Sequence, residues 1–327
     1  MPSLLQFQWE KHAGNPVLPP SENPFDCTAC MNPFVVDRGD EYWLYYAGGD
    51  TSGHRRICLA IADKSDPGRW KRLGPVLDLG KPGTFDAHWC VLPMVYRFGD
   101  VWHLYWSGNS GAPNLGLQGF PGTGLAYSRD GITFERHSDA PILTGDRCDR
   151  FPANKGIANG GTIIPHTAPD GSTVYRLFYT LAVGVPSPDV HVDQEKHCVV
   201  CHSRDGIEWT DHRIILSPRP DVPHDDIACA APFVWQENGL YRMLYAAIGT
   251  RWGYYSIAQA VSGDGYVWER GHADENLALR PTPDIPGSWE AQMVEYPALI
   301  PERDGYRLFY CGNGYGNTGI GTAFGRA

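Results

Sequence analysis

Four acidic residues stand at matched positions of a repeated pattern. Asp26, Asp86, Asp225 and Glu290 each lie seven residues before a proline that enters an apolar strand, at Pro33, Pro93, Pro232 and Pro297. Glu295 adds a fifth acid two residues before Pro297, and Asp226 follows Asp225. Two carboxyl groups can divide acid–base work: one protonates a leaving oxygen while the other activates water or attacks carbon. Like charges gathered at one point repel, which costs stability unless a ligand or a reaction requires them. Two plainer readings compete. Repeated acids cap turns or accept neighbouring backbone amides, and carboxylates with water suit a calcium ion.

The flanking residues extend this chemistry. His88, Trp89 and His224 precede the apolar strands, Asn32 stands immediately before Pro33, and Asn159 sits beside Ala158 at the acid position of a further copy. Nearby loops carry His54, Arg55 and Arg56, then Asn109, His191, Arg251, Trp252, Tyr254, Tyr255 and Asn313. Flat aromatic faces with a few fixed polar groups are what a sugar pocket needs. Each aromatic taken singly belongs in packing.

The elements that must position these residues recur along the whole chain. An apolar strand entered by proline is followed by a polar turn and an aromatic-rich strand. Asn32–Val36 precedes Tyr42–Tyr46, Leu92–Tyr96 precedes Trp102–Trp106, and Ala231–Trp235 precedes Tyr241–Tyr245. Tyr296–Ile300 precedes Tyr306–Tyr310, and Ile164-Pro165 stands before Tyr175–Tyr179. A third strand ends in Ser-x-Asp-Gly-x-x-Trp/Phe at Ser128–Phe134, Ser203–Trp209 and Ser262–Trp268. Asp-Gly is a tight-turn signal because glycine tolerates positive φ, so the Asp of each turn is structural.

The last copy lacks its fourth strand, and the N-terminus holds the match. Trp9-Glu10-Lys11 before Asn15–Leu18 parallels Trp70-Lys71-Arg72 before Gly74–Leu77. The pattern predicts an all-β, five-bladed β-propeller with four antiparallel strands per blade, its last blade closed by the N-terminal strand. It predicts one domain over residues 1–327. In such a blade the residues before the first strand and the loops between the second and third strands share one face, where the acids would converge.

Composition narrows the partners. With 27 Lys and Arg against 37 Asp and Glu the formal net charge is -10, and no basic run occurs, which argues against nucleic acid. No apolar run of about 20 residues is present, which argues against a membrane span, and the first residues do not read as a signal peptide. Nine cysteines fit reduced thiols and a cytoplasmic protein. The pairs Cys27/Cys30 and Cys198/Cys201 have zinc-like spacing, but residues three apart on a strand face opposite ways, so no metal site is assigned. Gly312–Gly316 follows a strand with no helix behind it and reads as a turn, not a phosphate cradle.

The blade pattern, the Asn15–Leu18 opening and the Ser-Arg-Asp-Gly turns together resemble the five-bladed propeller glycosidases, glycoside hydrolase families 43, 32, 117 and 130. The resemblance implies a carbohydrate substrate and a carboxylate pair at the central funnel. In the family 43 pattern an Asp stands directly before the first-blade proline, where this chain has Asn32, and the acid Glu precedes a proline in blade four, where this chain has its Glu-x-Pro, at Glu295, in blade five. Family 130 includes phosphorolytic enzymes with basic residues for phosphate, which here would be Arg150, Lys155 and Arg251. The expectation is a glycoside hydrolase without an organic cofactor, a calcium ion on the axis being one reading of the acids. Asp26 would be base or nucleophile, Asp86 or Asp225 its partner, and Glu295 the acid. Glu290, Asn32, His88, Trp89, Asn159, His224, Arg251 and Trp252 would bind substrate. A sugar phosphorylase and a glycan-binding propeller without catalysis are the alternatives.

Overall fold

Alternation of apolar and polar residues makes short strands, and the tight turns between them make antiparallel meanders. The computed structural model describes residues 4–111, 122–145, 156–168, 170–184 and 194–326. After β1 (Gln8–Lys11), a first meander runs β2 (Ala29–Asp37), β3 (Glu41–Gly49), β4 (Arg55–Asp63) and β5 (Lys71–Leu77). A second runs β6 (Trp89–Phe98), β7 (Val101–Asn109), β8 (Gly122–Ser128) and β9 (Glu135–Arg136). The third is β10 (Gly156–Thr167), β11 (Thr173–Gly184), β12 (Gln194–Ser203) and β13 (Thr210–Leu216). The fourth is β14 (Ala228–Glu237), β15 (Leu240–Ile248), β16 (Tyr255–Ser262) and β17 (Leu277–Leu279). The sequence ends with β18 (Glu295–Glu302), β19 (Gly305–Cys311) and β20 (Ile320–Arg326).

The first and second meanders join into one eight-stranded sheet through a single parallel bridge, Arg55 to Trp89, and the third and fourth join likewise through Lys196 to Ala228. The remaining sheet has the order β1-β20-β19-β18. Thus β1 does pair with the last strand, antiparallel from Gln8–Arg326 to Lys11–Ala323. Deleting residues 1–11 is expected to lower the melting temperature sharply, because β20 then presents a bare edge and Glu290 loses its cation. Thermal unfolding followed by circular dichroism tests this.

Each first strand carries an irregularity where it nears its second strand, between Met31 and Phe34, Val91 and Met94, Asn159 and Gly161, Ala230 and Phe233, and Glu295 and Ala298. At these bulges Asn32, Leu92, Ala231 and Tyr296 adopt left-handed backbone, with φ of 55°, 55°, 46° and 56°. The proline that follows is tolerated because a bulge interrupts the ladder of N–H bonds. The third meander uses Gly160-Gly161 at this place. That corrects the register read from sequence: Pro165 pairs with Tyr175 and lies four residues further along the strand. The bulges together line a cavity of only about 30 Å³, room for one water and not for a sugar.

The Asp-Gly turns hold neighbouring meanders together. Asp130 Oδ1 accepts the amides of Ile132 and Thr133 at 2.8 and 2.9 Å, and those bonds hold its carboxyl below the usual range. Gly131, at φ 78°, presents its carbonyl to the buried Tyr45 hydroxyl of the first meander at 2.7 Å. Gly206 does the same for Tyr105 of the second, at 2.9 Å. Among the described residues no helix is long and apolar enough to cross a membrane. Cys198 and Cys201 point into separate core clusters, as strand geometry requires, and all eight described cysteines are free.

Candidate active site

The four matched acids are buried, but each finds its partners inside its own meander. Asp26 accepts the Tyr46 hydroxyl and Arg72 Nε, both at 2.8 Å, and the Ser21 hydroxyl. Asp86 accepts Arg136 Nε at 3.0 Å and Nη2 at 2.9 Å, and Thr84 Oγ1 at 2.9 Å. Asp225 accepts Tyr245 at 2.7 Å, Arg219 Nε at 3.1 Å and Arg270 Nη1 at 3.2 Å. Glu290 accepts Tyr310 at 2.8 Å and pairs with Lys11. Each of the four is thus held in an ion pair of its own. The physical reason is burial: a carboxylate at about 0–4% exposure needs a cation beside it. Arg72 in β5, Arg136 in β9 and Lys11 in β1 supply it for Asp26, Asp86 and Glu290, and Arg219 and Arg270, outside the strands, supply it for Asp225.

A sequence signal for this was present. The cations sit two residues after the aromatic that ends each turn, at Trp70/Arg72, Phe134/Arg136, Trp268/Arg270 and Trp9/Lys11. The third meander, which has Trp209 followed by Asp211, carries no basic residue there. The residues just before β10 lie outside the described residues. These saturated oxygens do not offer a calcium cage, and no cluster of three or more His, Cys, Asp and Glu suited to a metal occurs among the described residues.

Glu295 differs from the other acids. It is the first residue of β18, 1% exposed, and its Oε2 has no hydrogen-bond partner among the described residues. It lies within the field of Lys196, near the start of β12, but no ion pair at contact distance forms. Burial pushes its carboxyl up to about 8, and Lys196 restrains the rise. Burial also lowers Lys196, against the pull of Glu295. Lys196 Nζ donates to the Tyr255 hydroxyl at 2.6 Å, and the Tyr255 ring meets Tyr315 edge-on at 6.1 Å. The next residue, Tyr296, bonds Glu295 through its side chain and lines the axial cavity. Sequence reading missed Lys196, although a lone lysine before the apolar run His197–Cys201 marked it.

The expected binding residues divide. Asn32 is 4% exposed, its Oδ1 accepts the Leu92 amide at 3.4 Å and its own amide faces Cys311 Sγ, so it braces neighbouring bulges. His224 is fully buried, its Nε2 bonded to Asn276 at 2.8 Å. Arg251 pairs with Asp274 at 2.7 and 2.9 Å and covers the Trp252 ring at 4.7 Å. His88 and Trp89 stack beside His54 and Arg55 at the start of β6. Asn159 pairs through its backbone with Thr180. Arg150, Lys155 and His191 lie outside the described residues.

The protein Rv1502 of Mycobacterium tuberculosis is 30% identical to this chain over 289 residues, 87% of this chain and 88% of that one. The present sequence belongs to the Rv1502 family. No protein-family model matches it. Among the solved structures that superpose on the Rv1502-family chain are several described as glycoside hydrolases. One comes from work titled "The GH130 family of mannoside phosphorylases contains glycoside hydrolases that target beta-1,2 mannosidic linkages in Candida mannan". It covers 99% of this chain and 95% of its own, with TM-score 0.70 and 17% identity. Another, described as a thermostable family-43 glycoside hydrolase, covers 93% and 90%, with TM-score 0.60 and 17% identity. At these identities the likeness shows the fold, that of the propeller glycosidases, and the Rv1502-family chain shares it.

Proposed function

We propose that this Rv1502-family chain cleaves glycosidic bonds, with Glu295 as the general acid. One observation carries the reading: a buried carboxyl with an unpartnered oxygen, its proton held more tightly by burial, at the start of a first strand. A general acid needs its proton at working pH, and burial is the usual way to keep it there. Lys196 and the buried Tyr255 position and electrostatically tune this carboxyl, and the half-buried Tyr254 and Tyr315 offer rings for a sugar face. Asp26, Asp86, Asp225 and Glu290 are framework ion pairs in this reading. The four-stranded meanders are then five blades of a closed propeller, in one domain, with the site above its narrow axis. The glycosidase fold of the neighbours and the β1–β20 closure support that architecture.

The described residues hold no second free carboxylate beside Glu295, which leaves an external nucleophile such as phosphate in play beside water. Purified protein is offered β-linked mannosides and a wider panel of glycosides, with and without inorganic phosphate. Free sugar marks hydrolysis, and sugar 1-phosphate formed only with phosphate marks phosphorolysis. Activity is expected to fall as pH rises through about 8, where Glu295 loses its proton. Saturable binding with no turnover across the panel would favour a glycan-binding protein instead.

A further inference from the structure

An arginine on the same face has no counter-ion. Arg55 is the first residue of β4, bridged to Trp89, the first residue of β6. Its guanidinium lies 5.6 Å from the Trp89 ring centre, and the Trp89 indole is held by its own bond to the Gly53 carbonyl at 2.7 Å. Of its five donors, one Nη1 proton reaches the His54 carbonyl at 3.0 Å, and Nε is buried without an acceptor. Among the described residues no carboxylate lies within ion-pair distance of Arg55. Asp50, whose field reaches it, is already bound by Arg56 at 2.6 Å and faces His54 Nδ1 at 3.4 Å. The other group acting on it is the Cys27 thiol.

Arg55, His54, His88 and Trp89 are all partly exposed. The His54 and His88 rings meet at 5.0 Å, and His88 is lowered by burial, by His54 and by Arg55, against a smaller pull from Asp50. The seat is tight: a Cβ added at Gly49 would lie 2.7 Å from Thr28 Oγ1 and 2.8 Å from Arg55 Cζ and Nη1. A partly buried cation without a partner costs stability, so its retention asks for a ligand that completes it. Arginine presents a planar fork that matches two oxygens of a carboxylate or a phosphate.

We infer that Arg55, flanked by His54, His88 and Trp89, is a binding site for an oxyanion, either the carboxylate of an acidic sugar or inorganic phosphate. The inference goes beyond the role of Glu295 and is independent of it, because its readout is binding and not turnover. Isothermal titration of the full-length protein with glucuronate, with inorganic phosphate and with glucose as neutral control is the experiment. At least one anion is expected to saturate and glucose is not. Arg55→Gln is expected to weaken that binding about tenfold or more, the worth of one charge-assisted contact. Gly49→Ala, which crowds the guanidinium and Thr28 Oγ1 but keeps the charge, is expected to weaken it in the same direction. The bound anion should also raise the His88 imidazole titration followed by NMR, since it cancels the field of Arg55. Without anion, Arg55→Gln should melt no lower than the wild type. Glucuronate alone binding would point to an acidic glycan, phosphate alone to phosphorolysis, and either supports the site. Neither anion binding, unchanged affinity in Arg55→Gln, or a lowered melting temperature for that variant would overturn it.

Discussion

Glu295→Gln is expected to cut turnover by about 10²–10⁴-fold, the span of one general acid, while leaving the fold intact. Gln keeps the shape and loses the transferable proton. The stability of the variant carries a second, independent signature. A carboxyl raised from its ordinary 4.5 to about 8 holds its proton more tightly in the folded protein than in the unfolded one. Its favourable contribution is complete below pH 4.5 and is lost as pH climbs towards 8. The wild type should therefore lose stability relative to Glu295→Gln across that window. Each tenfold difference in proton affinity between the two states is worth about 1.4 kcal/mol, and Lys196 lessens the total. Denaturant unfolding at pH 5 and pH 9 measures it. Full activity in the variant, or parallel stability curves for the two proteins, would remove Glu295 from its assigned role.

Asp225→Ala is expected to destabilise the fold by about 3–5 kcal/mol, because it strands two arginines and a tyrosine hydroxyl that now share one buried carboxylate. That is a large part of the stability of an ordinary domain. A catalytic aspartate would behave in the opposite way, leaving unfolding unchanged and removing turnover alone. Urea unfolding together with an activity assay separates the two. Double substitution of Asp225 and Arg270 by apolar residues should cost less than the two single changes added, as expected for groups in contact. The same logic applies to Asp26 with Arg72 and to Asp86 with Arg136.

These pairs also explain the thiols. Cys30 and Cys90 lie four residues after their acids, each with Sγ 3.8 Å from the carboxylate, and burial with the neighbouring charge pushes both thiols up. Thiols kept protonated in this way are poor nucleophiles and poor metal ligands. Native labelling of the described cysteines should reach Cys27, which is partly exposed, well before the buried seven.

The strands, their order and the pairing of β1 with β20 were legible in the sequence, because apolar runs, turn residues and repeated aromatics act locally and recur along the chain. The Asp-Gly turns were legible for the same reason: their carboxylates are satisfied by amides two and three residues away. Register in the third meander was not, since Gly160-Gly161 performs the bulge that proline marks elsewhere, and a glycine pair carries no proline signature. Above all, the sequence showed that acids repeat but could not say which of them are neutralised. Arg72 lies 46 residues from Asp26 and Arg136 lies 50 from Asp86, so only the folded sheets bring each cation to its carboxylate. The same long-range packing leaves Glu295 buried without an ion pair, and Arg55 without a carboxylate, among the described residues. Burial and counter-charge are properties of the assembled sheets, and they decide which ionisable groups are neutralised as braces of the fold and which are not.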